Sequence, residues 1–302
     1  MKLTRRVDRL ERALGAGASP AAPDVSPEQA ELRAIVRRAT TDRRMTPDVV
    51  AAYARLLLRT DDGEPIEPAP HHALWLELLC DDSIGRLLIL APPDSAKTTW
   101  IVSAWLGCYV AMFPERAAIL ASAATSIAVK RSTSLRTTAE TPDWRAAFPG
   151  VLPARGMPQH AASWSLAPNG RPSPGRLHPT VSAYGTGGAI VGARADLIVA
   201  DDLLDFENTR TAHQRETVYQ WVHNSLLSRL KAGVGRAVVI GTPWHPDDAY
   251  GEFQKMGDFV VCKTPLLHDG PDVYAEVVYP DNWPGRMLGD PIGDAGEEVD
   301  DG

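Results

Sequence analysis

The sequence predicts an α/β fold built on a mainly parallel sheet flanked by helices, and three observations carry that prediction. Short segments that are apolar throughout, such as Leu87-Leu88-Ile89-Leu90 and Leu197-Ile198-Val199-Ala200, recur between stretches of helical length. Strands without a polar face belong in sheets covered on both sides. The first of these strands runs through a tight loop into a helix opening at Lys97-Thr98, and another ends in the acid pair Asp201-Asp202. Parallel strands present their carboxyl ends at one edge of the sheet, which is where ligands bind.

Composition bounds the rest. The 302 residues suffice for one large domain or two small ones, and 44% hydrophobic residues is ordinary for a globular chain. No apolar run approaches the ~20 residues of a membrane helix. The opening residues 1–14 lack the apolar stretch of a secretory leader. A cytoplasmic protein with no membrane partner is expected. Cys80, Cys108 and Cys262 are widely spaced and odd in number, which argues against a disulfide framework or a zinc site. The formal net charge of −7 is uneven: acids crowd between Asp269 and Asp301, with Arg286 the only base among them. Acidity therefore belongs to a tail, and charge neither announces nor excludes a nucleic-acid partner.

The chain divides into four parts. Residues 1–26 hold a heptad seam (Leu3, Val7, Leu10, Leu14) and a linker of small residues and proline. Two heptads are marginal alone, so this segment reads as a frayed arm or a docking helix. Residues 27–70 form a helical lead-in, in two pieces broken near Pro47. Residues 71–267 form the main domain, and 268–302 an acidic tail expected to be disordered. Within the main domain, a helix is expected from about Ala96 to Met112, a strand over 117–122 and a helix around 125–140. A glycine- and proline-rich excursion covers 149–178. Short strands are expected over 180–185 and 189–193, and core strands over 196–202, 236–245 and 258–267. One long helix should span 209–231, with Val218, Val222, Leu226 and Leu230 as its buried stripe.

The chemistry sits at the strand ends. Ala91-Pro92-Pro93-Asp94-Ser95-Ala96-Lys97-Thr98 has the register of the phosphate-binding pattern G-x-x-x-x-G-K-[ST], with alanine at both glycine positions. Such a loop needs backbone N–H groups aimed into a concavity at a helix N-terminus, plus a cation and a hydroxyl. Ser95, Ala96, Lys97, Thr98 and Thr99 can all donate. Lys97 would meet the β- and γ-phosphates of ATP, and Thr98 would hold Mg²⁺. Ala96 costs nothing there if its backbone is already right-handed. Asp94, an anion beside phosphates, must point away. The plainer reading is a structural strand-to-helix turn. Asp201 fits a metal-shell acid and Asp202 a carboxylate that activates water, against a pair of solvated acids. Thr242, after the strand ending in Gly241, is a candidate γ-phosphate sensor or an ordinary turn residue. His71, His72 and Trp75 would line a base pocket or simply pack. His213, His223 and His245 lack metal-ligand spacing, and Trp221 and Trp244 read as packed hydrophobes rather than DNA stackers.

With these elements in order, the chain resembles the ATPase domain of tailed-phage large terminase subunits. The stretches that carry the resemblance are LILAPPDSAKTTW (88–100), SAYGTGGAIVGARADLIVADDLLD (182–205), YQWVHNSLLSRL (219–230) and VVIGTPWHPDDAYG (238–251). Together they lie within residues 70–267. The resemblance implies a P-loop NTPase core of the additional-strand (ASCE) type that hydrolyses ATP with Mg²⁺. It also implies a homo-oligomeric ring in the host cytoplasm that moves double-stranded DNA, with a portal protein and a small terminase subunit as partners. Lys97 and Thr98 carry over as phosphate and metal residues, Asp201 as the metal-shell acid, Asp202 as the catalytic carboxylate and Thr242 as the coupling residue. Two departures stand out. Many relatives carry an arginine in the loop where Pro93 stands, and an arginine at the transition state is worth ~10³–10⁵ in rate. Arg194 is the candidate catalytic replacement, with Arg210 and Arg229 as other options, within the chain or across a subunit boundary. Large terminases also carry a C-terminal nuclease domain. The closing acids here have no strands around them, so nuclease activity is expected from a separate chain. The competing expectation is a nucleotide-binding assembly protein that does not hydrolyse ATP, as a decayed prophage remnant would be.

Overall fold

The computed structural model describes residues 26–266, 275–285, 287 and 288. Capping hydroxyls followed by proline start the first two helices. Ser26 Oγ accepts from Gln29 N at the head of α1 (Pro27–Asp42), and Thr46 Oγ1 accepts from Val49 N at the head of α2 (Pro47–Leu57). A third helix, α3 (Pro70–Cys80), precedes β1 (Arg86–Leu90). After the loop the chain winds as a π-helix over Thr99–Leu106 and continues as α4 (Gly107–Met112). Then come β2 (Ala118–Ser122), α5 (Thr125–Ala139) and α6 (Pro142–Ala147). The excursion folds into β3 (Val151–Pro153), β4 (Gln159–His160), β5 (Ser163–Trp164) and β6 (Leu166–Pro168). The remaining elements are β7 (Val181–Gly185), β8 (Leu197–Asp201), α7 (Phe206–Thr209), α8 (Ala212–Gln220), β9 (Arg236–Gly241), α9 (Ala249–Met256), β10 (Val260–Lys263) and β11 (Glu276–Val278). Among the described residues no helix is long and apolar enough to cross a membrane.

The main sheet has the order β11-β10-β1-β9-β8-β2-β7-β5-β4. Strands from β10 to β7 run parallel, and the outer strands are antiparallel. β9 lies between β1, which feeds the loop, and β8, which carries the acids. This is the additional-strand P-loop arrangement. Register brings the tips level: Leu90 pairs with Gly241, and Asp201 with Ile240. Alternation along each strand splits the core into two halves. Leu87, Ile89, Leu120, Val199, Val238 and Ile240 face the layer containing α2, α3 and the π-helix. Leu88, Leu90, Ile119, Ile198, Ala200 and Val239 face Val218, Val222 and Phe253 on the other side. Burying such a side chain is worth about 1.5–3 kcal/mol, so both faces hold the strands in register.

Three expectations are corrected. The helix expected over 209–231 begins later, at Ala212, and is not α-helical throughout. Asp205 and Thr211 each accept a backbone N–H three residues on and restart the chain as α7 and α8. Beyond α8 it winds as a π turn (Trp221–Leu226) and a 3₁₀ turn (Leu227–Arg229). Residues 189–193 form no strand: Gly187 just before the segment and Gly192 within it take left-handed backbone, and β7 is paired on its other edge by β5. The segment expected to be a disordered tail carries a strand within its described residues. β11 pairs antiparallel with β10, and Tyr279, Trp283 and Leu288 pack against the larger core. The heptad positions Leu3 to Leu14 and the acids beyond Leu288 lie outside the described residues.

Candidate active site

The loop after β1 is clamped at its root. Ala91 N donates to Gly241 O at 3.0 Å, and Thr242 Oγ1 donates to Ala91 O at 2.9 Å. Thr242 thus ties the tip of β9 to the start of the loop. Further on, the backbone departs from expectation: Ala96 has φ 54° and Asp94 has φ 60°. Ala96 is therefore left-handed, not right-handed, just before the helix. That conformation costs an L-residue roughly 1–2 kcal/mol, and such strain persists only where the surroundings enforce it. Among the described residues, none accepts a backbone hydrogen bond from Ser95 or Ala96 N–H.

Two side chains enforce the turn. Ser95 Oγ donates to Pro92 O at 2.8 Å. His72 Nδ1 accepts from Ala69 N at 3.0 Å, which leaves the proton on Nε2 to donate to Ser95 O at 2.9 Å. Burial pushes the His72 imidazole down to about 4, outweighing the opposing pull of Ser95 O, so it is a neutral prop stacked on Trp100. Trp75 is fully buried and donates Nε1–H to Thr264 Oγ1 at 2.9 Å. These residues brace the loop; Trp75 offers no free face for stacking a base. A cavity of about 390 Å³ opens beside the loop, lined by Ala91, Pro92, Pro243, Gln254, Lys263 and Thr264.

The loop and the acids meet. Lys97 Nζ lies 3.8 Å from Asp202 Oδ1, and Thr98 Oγ1 lies 3.3 Å from Asp201 Oδ1. Asp202 takes φ 50°, and its backbone bridges neighbouring tips: its N donates to Ile240 O and its O accepts from Ala123 N, both at 2.9 Å. A third cation completes the cluster. Arg131 Nη1 donates to Asp201 O at 2.6 Å and Ser122 Oγ at 2.8 Å, and sits 2.9 Å from Asp201 Oδ2. Nη2 lies 3.6 Å from Asp202 Oδ2. Because both Nη1 hydrogens aim elsewhere, Asp201 Oδ2 is buried without an aligned donor. Burial pushes the Asp201 carboxyl up to about 6. Arg131 is the largest opposing influence, Asp202 adds to the rise, and Thr98 and Lys97 oppose it.

Arg131 escaped sequence reasoning. It lies on α5 between Ala128 and Ser132, both buried and part of the stripe Ala128-Ser132-Leu135 that faces the sheet. An arginine beside an inward stripe needs an anion, which is the signal the sequence held. Gly185 lets α5 approach: a Cβ there would overlap the backbone of Thr125. The other predicted residues are dispersed. Thr99 opens the π-helix. Arg194 precedes β8 at its amino end, the full strand away from Asp201, and donates to Ser228 O at 3.0 Å. It cannot join the cluster in its own chain. Arg229 donates to Ser225 O and Ser228 Oγ near that same end, and Arg210 lies between α7 and α8.

No protein-family model and no curated protein matches the chain. Among solved structures it is similar to the large terminase of bacteriophage HK97, at 12% identity and TM-score 0.45 over 75% of this chain and 46% of that one. It is also similar to the large terminase ATPase domain of Thermus phage P74-26, at 13% identity and TM-score 0.47 over 66% of this chain and 81% of that one. The chain thus spans about half the length of the HK97 protein, and the likeness is one of fold.

Proposed function

We propose that this chain is a Mg²⁺-dependent ATPase of the phage-terminase type, a motor subunit that couples ATP hydrolysis to movement of double-stranded DNA. One observation carries the ATPase reading: Lys97 and Thr98 meet Asp202 and Asp201 at the level tips of β1 and β8. Backbone N–H groups of Ser95 and Ala96 are free to take phosphate oxygens, and Lys97 would stand against the β- and γ-phosphates. Thr98 and Asp201 would hold Mg²⁺, and the donor set fits: the Thr98 hydroxyl lies 3.3 Å from Asp201 Oδ1, while the other oxygen of that buried carboxylate, Oδ2, faces Arg131. Among the described residues there is no group of three or more His, Cys, Asp or Glu side chains suited to a metal. The ion would therefore draw its remaining ligands from phosphate and water. Bound Mg²⁺ would offset the negative charge of the phosphates.

Asp202 is the base. As a water oxygen bonds to the γ-phosphorus, its proton passes to the Asp202 carboxylate. The bond from that phosphorus to the bridging oxygen breaks, and its electron pair leaves with ADP. Thr242, tied to Ala91 O, would relay the change at the γ-phosphate to the loop root. The cavity beside Pro92 and Pro243 would take the base. The motor reading, with its ring, portal protein, small terminase subunit and DNA, is supported by the resemblance within residues 70–267. Arg194, at the far end of β8, would act only on a neighbouring subunit's nucleotide.

A phosphate-release assay with and without Mg²⁺ and double-stranded DNA tests this. Wild type should turn over only with Mg²⁺, faster with DNA, and Asp202→Asn should lose about 10²-fold or more in kcat. Equal turnover by the two proteins would remove Asp202 from the mechanism. Tight ATP binding with no release by wild type would favour the non-hydrolysing assembly role.

A further inference from the structure

The cluster holds a guanidinium that the loop pattern and the acid strand leave unexplained. Arg131 reaches Asp201 and Asp202 from a helix outside the loop, the acid strand and β9, with its side chain only 17% exposed. Its two terminal nitrogens are unequally used. Nη1 makes three short contacts, to Asp201 O, Ser122 Oγ and Asp201 Oδ2. Nη2 has only long ones, 3.5 Å to Thr98 Oγ1 and 3.6 Å to Asp202 Oδ2. One nitrogen anchors the group to two strand tips. The other carries donors that are nearly unspent and points between the proposed metal hydroxyl and the proposed base.

We infer that Arg131 is the in-chain catalytic arginine, its Nη2 donating to the oxygens of the γ-phosphoryl group in transfer. The inference rests on the ATPase reading above and adds the residue that Pro93 cannot supply. The geometry suits the task. Charge builds on the γ-phosphoryl oxygens between Lys97, Thr98 and Asp202, and Nη2 already lies beside the last two. A guanidinium fixed in place and largely removed from water needs no reorganisation as that charge develops. Lysine could not do the same, because one ammonium cannot keep the anchoring bonds and still reach a phosphoryl oxygen. Arg194 and Arg229, at the amino end of β8, are too remote to compete within one chain. In the hydrolysis step, the phosphorus–oxygen bond breaks toward ADP while a water oxygen attacks. Arg131 keeps all its protons and only donates hydrogen bonds.

The test uses the full chain with Arg131→Lys and Arg131→Gln. Three quantities are measured: kcat and KM for ATP, equilibrium binding of ADP with Mg²⁺, and trapping of ADP with Mg²⁺ and aluminium fluoride, which mimics the flat phosphoryl group. Both variants should bind ADP within threefold of wild type and keep KM within threefold. Trapping should weaken at least tenfold and kcat fall by about 10²–10³-fold. Loss of ADP binding as large as the loss of trapping would mean that Arg131 merely holds the acids in place, and would overturn the inference. A kcat within threefold of wild type would overturn it too. Arg131→Lys keeps the charge on the acid pair and decides the matter if Arg131→Gln fails to fold. Should wild type itself bind neither ATP nor ADP, the ATPase reading falls first and this inference with it. Wild-type binding with unaffected variants sinks the inference alone.

Discussion

Replacing Ala96 by glycine should stabilise the protein, although the same change in a helix destabilises. Ala96 is exposed and left-handed at φ 54°, so its methyl group contributes strain and almost no burial. Left-handed backbone costs an L-residue roughly 1–2 kcal/mol, and glycine removes that cost. Glycine also loosens the unfolded chain, which takes back about 0.4–1 kcal/mol. The balance is a gain of about 0.5–1 kcal/mol, or a rise of roughly 1–4 °C in Tm for a chain near this size. Ala30, exposed within α1, supplies the control: Ala30→Gly should lose about 1 kcal/mol. Thermal and urea unfolding of both variants measure the difference. If Ala96→Gly falls in stability as far as Ala30→Gly, the loop is not left-handed at that position. The backbone of the proposed phosphate cradle would then be wrong.

Gly241→Ala should lose about 2–3 kcal/mol in urea unfolding, because its Cβ would overlap the buried Tyr250 hydroxyl and ring. Since Tyr250 Oη accepts from Leu203 N at 3.1 Å, the variant should also disturb the turn at Asp202 and slow phosphate release. For His72, the folded-state value of about 4 lies below the ~6.5 of an exposed histidine. Stability from burying it neutral is therefore present above pH 6.5 and lost as pH falls through 4, by roughly 3 kcal/mol in all. The stability gap between wild type and His72→Gln should narrow over that window when urea midpoints are compared at pH 7.5 and pH 4.5. A gap that stays constant would show that His72 does not titrate against the loop.

The sheet was readable because its strands are apolar on both faces, a pattern that solvated strands do not have. The acid pair was readable for the related reason that Asp201 and Asp202 end such a strand abruptly. What escaped depends on contacts distant in sequence or on backbone that side-chain identity does not encode. Alanine at position 96 carries no mark of a left-handed turn; glycine would have. The stripe Val218-Val222-Leu226-Leu230 begins well after Thr211, so the start of the helix is marked by that capping residue rather than by periodicity. Val277 and Val278 form too short an apolar run to announce β11, which exists because β10 offers an open edge. Arg131 stands 70 residues before the acid it pairs with, and only its place beside an inward helical stripe hints at a buried partner. Arg194 looked suitable because it adjoins the acid strand, but adjacency in sequence put it at the wrong end.

The central claim is that Lys97 and the Asp201-Asp202 pair converge on one Mg²⁺-bound triphosphate. Calorimetric titration of ATP into wild type and Lys97→Ala, each with and without Mg²⁺, tests it most directly. Wild type should take up one ATP per chain, tighter with Mg²⁺, and Lys97→Ala should bind about 10²-fold more weakly. Identical affinities in the two proteins, or binding indifferent to Mg²⁺, would contradict it.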